Sequence, residues 1–369
     1  MNNPFRYGSV VTDKQFCGRK SDIIQLKDFI ATGQNVVLQG ERRIGKTSLV
    51  LETMRQSASH RLLMVNLMEV KDLDDLCLRL LRAFVNVEKQ GGFFDSVVKS
   101  LSHLRPTLSV NSMTGDLSIG FDAAKGLDPQ SITDILQLIH KHHGDKPLVV
   151  FLDEFQDILK IEDSARILSL MRGEVQLQGD LPYLFAGSVR NRMDSIFNSP
   201  DSPFFKSAIA LNIGPLDQGD FNRFLLVKFA EGGRSVDPAI FAAITTLAEG
   251  VTGDVQQLCE ALWSVSDIGA KVDTKLLPRA LKLIYSREQN GYEIILAGLT
   301  ANYVNILKAL SKLGGSQVAT AEFVREAKVA NASSVSKALS NMAERKIMFK
   351  AAAGWRFTNP FFAVWLREI

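Results

Sequence analysis

Apolar positions along the chain follow two periods. At residues 22–30 (DIIQLKDFI) they recur at the three- and four-residue spacing of a helix face, and at 35–40 (NVVLQG) an unbroken apolar run ends at glycine. Such a run bounded by glycine marks a strand buried on both faces. The alternation continues with a helix in SLVLETMRQ (48–56), a strand in RLLMVNL (61–67), and helices near 72–88 and around 130–143. Further strands lie in KPLVVFLDEFQDIL (146–159) and LPYLFAGSVRNRM (181–193). Strands alternating with helices predict a parallel sheet.

Two stretches depart from that rhythm. Residues 105–123 (RPTLSVNSMTGDLSIGFDA) alternate apolar and polar on both sides of a glycine-containing polar segment. They predict a hairpin inserted on the sheet or near its edge, serving either as packed decoration or as a partner-binding edge. Beyond Pro215 the strand signal stops, and LDQGDFNRFLLVKFAEGG, PAIFAAITTLAEG and DVQQLCEALWSVS all carry helical spacing. From Thr300 two or three helices precede KIMFKAAAGWRFTN, which reads as strand, turn and strand, the pattern of a winged-helix module. The expected domains are an α/β domain over 1–215, a helical lid over 216–295 and a winged helix over 296–369.

The chemistry concentrates where the first strand ends. GERRIGKT (40–47) matches G-x-x-x-x-G-K-[ST] between a buried strand and a helix, as a phosphate-binding loop requires. In this reading Gly40, Glu41, Arg42, Arg43, Ile44 and Gly45 form the loop, whose N–H groups face the phosphates of ATP. Lys46 supplies charge to the outer phosphates and Thr47 a magnesium-binding hydroxyl, while Ser48 lies in the first helical turn, whose dipole favours anions. LVVFLDEF puts Asp153 at the carboxyl end of a buried strand, as a second Mg2+ contact, and Glu154 beside it as general base for an attacking water. The competing reading of the acid pair is a helix cap at a strand end.

Composition narrows the setting. With 369 residues, 46% hydrophobic and 22% charged, the chain has the balance of a globular protein, and a net charge of +3 provides no global basic field for nucleic acid. Cys17, Cys77 and Cys259 are odd in number and widely spaced, which argues against a disulfide framework or zinc site. No apolar run approaches the length of a membrane helix, and the first residues lack a leader pattern, so a cytoplasmic location is expected. His140, His142 and His143 cluster without carboxylate or cysteine partners at ligand spacing and read as a solvated helix end.

In VANASSVSKALSNMAERKIMF (329–349), Val335, Leu339 and Met342 recur at helical spacing, and Asn331 or Ser333 can cap the start. The outward face then offers Ser334, Lys337, Asn341 and Arg345 to duplex DNA, with Lys350 and Arg356 flanking a wing tip at Gly354. Glu344 and the sparse positive charge leave a protein-contact face as the alternative.

Taken together, FCGRKSD, GERRIGKTSL, FLDEFQD, AGSVRNRM, TGDVQQL and FTNPFFAVWL resemble, in that order, the archaeal-type ATPase family. The resemblance covers almost the whole chain. It implies a P-loop NTPase of the AAA+/STAND branch: an α/β parallel sheet with helical lid and C-terminal winged helix, using ATP and Mg2+. By resemblance Phe16, Gly18 and Arg19 lie near the adenine, and Gly187 and Ser188 sense the γ-phosphate, with Arg190, Asn191 or Arg192 nearby. Ser188 joins Lys46 and Glu154 as a catalytic candidate. Lys206 stands where the family often has an arginine finger, and Asp254 and Val255 where its lid has glycine and proline, so slow hydrolysis by a monomer is expected. A regulatory or mechanical ATPase is the first expectation, its partner being DNA, another protein or further copies of itself. The alternatives are a DNA-binding initiator or transposon-targeting factor, and a signalling scaffold that holds ATP with little turnover.

Overall fold

The structure is a computed structural model describing residues 2–57, 59–89, 106–110, 117–121, 127–141, 147–188, 190–351 and 353–369. His142, His143 and the turn of the expected hairpin lie outside the described residues, as do the side chains of Arg190 and Asn191. The chain divides into two compact units, Val10–Gly214 and Met1–Ser9 with Pro215–Ile369.

The first unit is built on a five-stranded parallel sheet of order β2 (Arg61–Asn66), β5 (Leu148–Asp153), β6 (Tyr183–Ala186), β1 (Val36–Gln39), β7 (Ile209–Asn212). Successive strand residues point to opposite faces, so strands covered on both sides read as continuous apolar runs. Val36, Leu38, Phe151 and Leu184 face a core formed with α1 (Lys20–Ala31) and α2 (Lys46–Arg55). Val37, Leu152 and Phe185 face the other, which takes in α3 (Leu73–Lys89), α4 (Gln130–Lys141) and α5 (Ser164–Leu177). Helix α6 (Arg190–Phe197) follows β6 and adds Phe197 to that second core.

The expected hairpin is present. β3 (Pro106–Val110) and β4 (Leu117–Phe121) pair antiparallel with each other, Leu108 opposite Ile119, as a two-stranded ribbon separate from the main sheet.

The second unit opens with α7 (Gln218–Glu231), α8 (Ile240–Leu247), α9 (Thr252–Val265) and the long α10 (Leu277–Ala297). It continues with α11 (Ala301–Leu313), α12 (Ala321–Glu326), α13 (Ala332–Glu344), the hairpin β10 (Met348–Ala351) and β11 (Gly354–Phe357), and α14 (Pro360–Leu366). A short parallel pair, β8 (Ser235–Val236) with β9 (Lys271–Val272), also joins it. The sequence places residues 1–9 with the sheet, whereas the structure places them in this unit. The cause is local: the Phe5 ring lies 4.6 Å from that of Phe229, and Asn3 Nδ2 donates to Glu260 Oε1 at 3.1 Å.

The wing is fastened by close backbone approach. Trp355 N donates to Gly315 O at 2.9 Å, and a Cβ on Gly315 would lie 1.8 Å from the Trp355 carbonyl oxygen, so only glycine fits. Among the described residues no helix is long and apolar enough to cross a membrane.

Candidate nucleotide site

β1 ends at Gln39, and the backbone turns at once beneath the neighbouring β7 exit. A Cβ on Gly40 would meet Ile213 O at 2.6 Å, so the turn needs glycine for its closeness. Gly45 caps α2 at φ +99° and Arg43 sits at φ +63°, both left-handed. The N-cap of α2 is Gly45, which has no side chain to cap the first turn, and the N–H groups and dipole there suit an anion. Lys46 reaches back over the loop, its Nζ donating to Gly40 O and Glu41 O at 2.9 Å each. Only 7% exposed, its ammonium is held down to about 8 by burial, against the opposing pull of Glu154 and Asp153. That makes the loop a cradle with an under-neutralised cation at its centre.

The carboxyl end of β5 supplies the second half. Thr47 Oγ1 donates to Asp153 Oδ2 at 2.7 Å, and Asp153 Oδ1 accepts from Glu154 N at 3.0 Å. Burial raises the Asp153 carboxyl above the usual carboxylate range, with the Thr47 hydroxyl opposing it. A hydroxyl and a carboxylate meeting beside a phosphate cradle fit Mg2+, a hard cation that takes few protein oxygens and completes its shell with phosphate and water.

Glu154 follows at φ +53°, the left-handed entry to a 3-10 turn, Phe155–Lys160. Phe155 anchors that turn: fully buried, its ring lies 4.8 Å from Phe185, within a cluster that also takes in Phe197 and Phe204. Ser188, just past the end of β6, donates its hydroxyl to Glu154 Oε2 at 2.7 Å. Sequence reasoning missed Gln156, whose Nε2 donates to the same oxygen at 2.6 Å. A glutamine two residues after a strand-end acid carries no signal until its side chain is seen to fold back.

The remaining loop and base-side candidates divide. Ile44 is buried in the core against α1 and α2, which leaves only its backbone to the loop. Arg42 is exposed. Phe16 packs half-buried against the same core, and Gly18 lies at φ +64° beside it. Arg19 is held on three sides: its Nη2 donates to Ile44 O at 2.9 Å and Gly214 O at 2.8 Å, and its Nη1 to Asp22 at 3.1 Å. It is therefore a brace under the phosphate loop. Ser48 is also engaged, its Oγ accepting from Val11 N at 3.1 Å, while Glu52 one turn on accepts from Asp13 N at 2.8 Å. These two contacts strap residues 11–13 along α2. Lys206 is exposed, its Nζ 5.2 Å from the Phe205 ring centroid, and Arg192 is exposed too.

On the winged-helix side the six contact candidates separate in the same way. Asn331 caps α13, its side chain accepting from Ser334 N at 3.0 Å, and Val335, Leu339 and Met342 are buried as the spacing predicts. Ser334 and Lys337 are exposed and border a cleft of about 230 Å3 together with Tyr303 and Val329. Lys350 is exposed on the wing. Asn341 is half-buried, and Arg345 donates to Gly298 O at 2.8 Å, closing the end of α10. Arg356 is drawn off the wing surface: its Nε donates to Glu249 Oε2 at 2.6 Å and its Nη2 to Glu249 O at 3.0 Å. Arg345 stays exposed while making its bond to Gly298, and Arg356 is the one tied to a carboxylate. The partners of Arg345 and Arg356 lie far off in sequence, which is why spacing along the chain does not reveal them. Asp254 is buried in α9, and His140 pairs with Asp180 at 2.7 Å.

A family described as "Probable winged helix domain" matches residues 290–368. No curated protein matches the chain in sequence. Among solved structures, the Walker-type ATPase of Pyrococcus abyssi is 16% identical over 99% of both chains with a TM-score of 0.66. The Aeropyrum pernix ORC2 protein, solved as ADPNP–ADP complexes, is 12% identical, with 96% of this chain and 95% of that one covered and a TM-score of 0.51. At these identities the likeness speaks for the fold, which accords with the motif order read along the chain: this protein has the fold of the Walker-type P-loop ATPases, an α/β parallel sheet followed by helices and a C-terminal winged helix.

Proposed function

We propose that the protein binds and hydrolyses Mg-ATP and that its nucleotide state governs what the winged helix contacts. One observation carries the reading: the Thr47–Asp153 hydrogen bond of 2.7 Å joins the phosphate loop to the end of β5, with Glu154 next in line and tied to Ser188. No bland packing role requires a hydroxyl, two carboxylates and a buried lysine to converge on a glycine-rich turn.

In this reading Gly40–Ser48 wraps the phosphates and Lys46 neutralises the outer ones. Thr47 and Asp153 hold Mg2+, which when bound screens the phosphate charge and fixes its geometry. Glu154 takes the proton from a water as that water's oxygen bonds to the γ-phosphorus, and the bond to the β–γ bridging oxygen breaks with its electron pair leaving on ADP. Ser188 orients Glu154. The exposed Lys206 cannot make an arginine's bidentate fork, so turnover by the monomer is slow. A rate above about one per second from a verified monomer would count against this. Residues 216–295 act as lid and 296–369 as the contact module.

A second reading makes that module a protein-contact surface rather than a DNA reader. The pairing of Arg356 with Glu249 inside their own unit favours it, because it neutralises one of the cations a phosphate backbone would use. ATP hydrolysis by wild type and Lys46→Ala, with and without duplex DNA and across protein concentrations, separates the readings. Stimulation by DNA that the variant loses supports a DNA-coupled ATPase, and dependence on protein concentration adds self-assembly. Turnover indifferent to DNA supports the protein-contact module, and turnover unaffected by Lys46→Ala sinks the nucleotide site.

A further inference from the structure

We infer that Gln156 is a positioning residue for the carboxylate of Glu154; the inference rests on the reading of Glu154 as the general base. Gln156 is 1% exposed and sits on the 3-10 turn two residues beyond that acid. Its Nε2 lies 2.6 Å from Glu154 Oε2, the oxygen that also accepts from Ser188 at 2.7 Å. Two donors from two different elements, the turn after β5 and the end of β6, thus converge on one oxygen.

The chemical consequence follows from which oxygen they take. Hydrogen bonds to a carboxylate oxygen lower its basicity and fix the plane of the group. With Oε2 occupied on both sides, Oε1 is the oxygen left to receive a proton from water, and its direction is set by the pair of donors. A glutamate side chain entering from a left-handed backbone has several rotamers open to it, and this clamp selects one.

Packing alone does not account for Gln156. Its Oε1 is buried without a hydrogen-bond partner, a cost a leucine of similar size would not carry. The amide is also held from behind. A Cβ on Gly187 would meet Gln156 Oε1 at 2.2 Å, and Nε2 is 3.4 Å from Asp157 Oδ1. Asp157 is itself fixed by Glu69 N at 2.8 Å and Lys160 Nζ at 2.7 Å. The charged groups around the clamp are therefore Lys46 and Asp153 on the nucleotide side, and Asp157 and Lys160 on the turn.

The test is steady-state ATP hydrolysis and nucleotide affinity in Gln156→Leu and Gln156→Glu, with thermal melts to verify the fold. Gln156→Leu is expected to lower kcat about tenfold while the Kd for ATP stays within about twofold, since the base is misaimed and the phosphate cradle untouched. Gln156→Glu replaces the amide donor with an acceptor and is expected to lower kcat at least as far as Gln156→Leu, again with the Kd for ATP within about twofold. In a Glu154→Gln background, Gln156→Leu adds no further loss. Turnover of a folded Gln156→Leu within about twofold of wild type overturns the inference, as does a loss that adds to Glu154→Gln. Failure of the parent reading looks different: Glu154→Gln then hydrolyses normally, and the role of Gln156 falls with it. If Gln156→Leu does not fold, turnover of a folded Gln156→Glu within about twofold of wild type overturns the proposal.

Discussion

At the scale of single residues, Lys46 makes the sharpest prediction. Burial holds its ammonium near 8 in the free protein, and triphosphate favours the charged form, so the pKa in the complex is higher. Affinity is therefore full below about pH 8 and declines as pH rises toward the pKa of the complex, by up to about tenfold per unit. A titration of ATP binding between about pH 7 and pH 10 checks this, and a flat profile means that the Lys46 amine does not meet phosphate. Gly187 gives a steric counterpart. A methyl there would collide with Gln156 Oε1 at 2.2 Å and with Met193 Sδ at 2.5 Å. Gly187→Ala should destabilise the protein by about 1–3 kcal/mol and reduce turnover more than ATP affinity, because the displaced amide is the one holding Glu154. Equal losses in both would show that the whole site, not the base, had shifted.

At the scale of elements, what the sequence made legible was whatever depends on neighbours along the chain. Unbroken apolar runs identified β1, β5 and β6 because both faces of the sheet are covered. The turn from β1 into α2 carries its own glycines, and Asp153 and Glu154 close their strand directly. Contacts that span the chain left no trace in the pattern. Arg19 lies 195 residues from Gly214, whose carbonyl it binds, and Arg356 lies 107 from Glu249. An arginine beside a motif looks available to a ligand until its long-range partners are known. The structure turns Arg19 into a prediction about α1 and the phosphate loop together. Arg19→Ala strips the donors from Ile44 O and Gly214 O, and should cost about 1–3 kcal/mol of stability and weaken ATP binding. Arg19→Lys should not restore either, since one ammonium cannot reproduce a planar fork shared between two carbonyls and Asp22. Thermal melts and ATP titrations of the two variants decide it, and full rescue by lysine would reduce Arg19 to a surface charge.

At the scale of the whole molecule, the proposal requires that a nucleotide bound in the Val10–Gly214 unit alter the unit that carries the winged helix. The chain happens to provide a selective reporter. Its 3 tryptophans are Trp263, Trp355 and Trp365, all in the second unit, and none shares a unit with the phosphate loop. Trp263 donates to Gly232 O at 3.1 Å, Trp355 lies on the wing hairpin, and the Trp365 ring sits tilted 5.3 Å from that of Tyr292 of α10. Within that unit, polar contacts tie the α9–α10 helices to α14: Glu288 accepts from Gln257 of α9, from Tyr292 at 2.6 Å and from Asn359, the cap of α14, at 2.7 Å. A change felt by α9 therefore has a path of direct hydrogen bonds to α14, through a half-buried network centred on Glu288. Intrinsic tryptophan emission should shift on addition of Mg-ATP, saturate with the same Kd as direct nucleotide binding, and be absent in Lys46→Ala. In Glu288→Gln, which weakens the network without touching the nucleotide site, binding should persist while the emission change shrinks. Saturable ATP binding with no change in emission would mean that the nucleotide state is not transmitted to the winged-helix unit, and the regulatory half of the proposal would fail while the ATPase half stood.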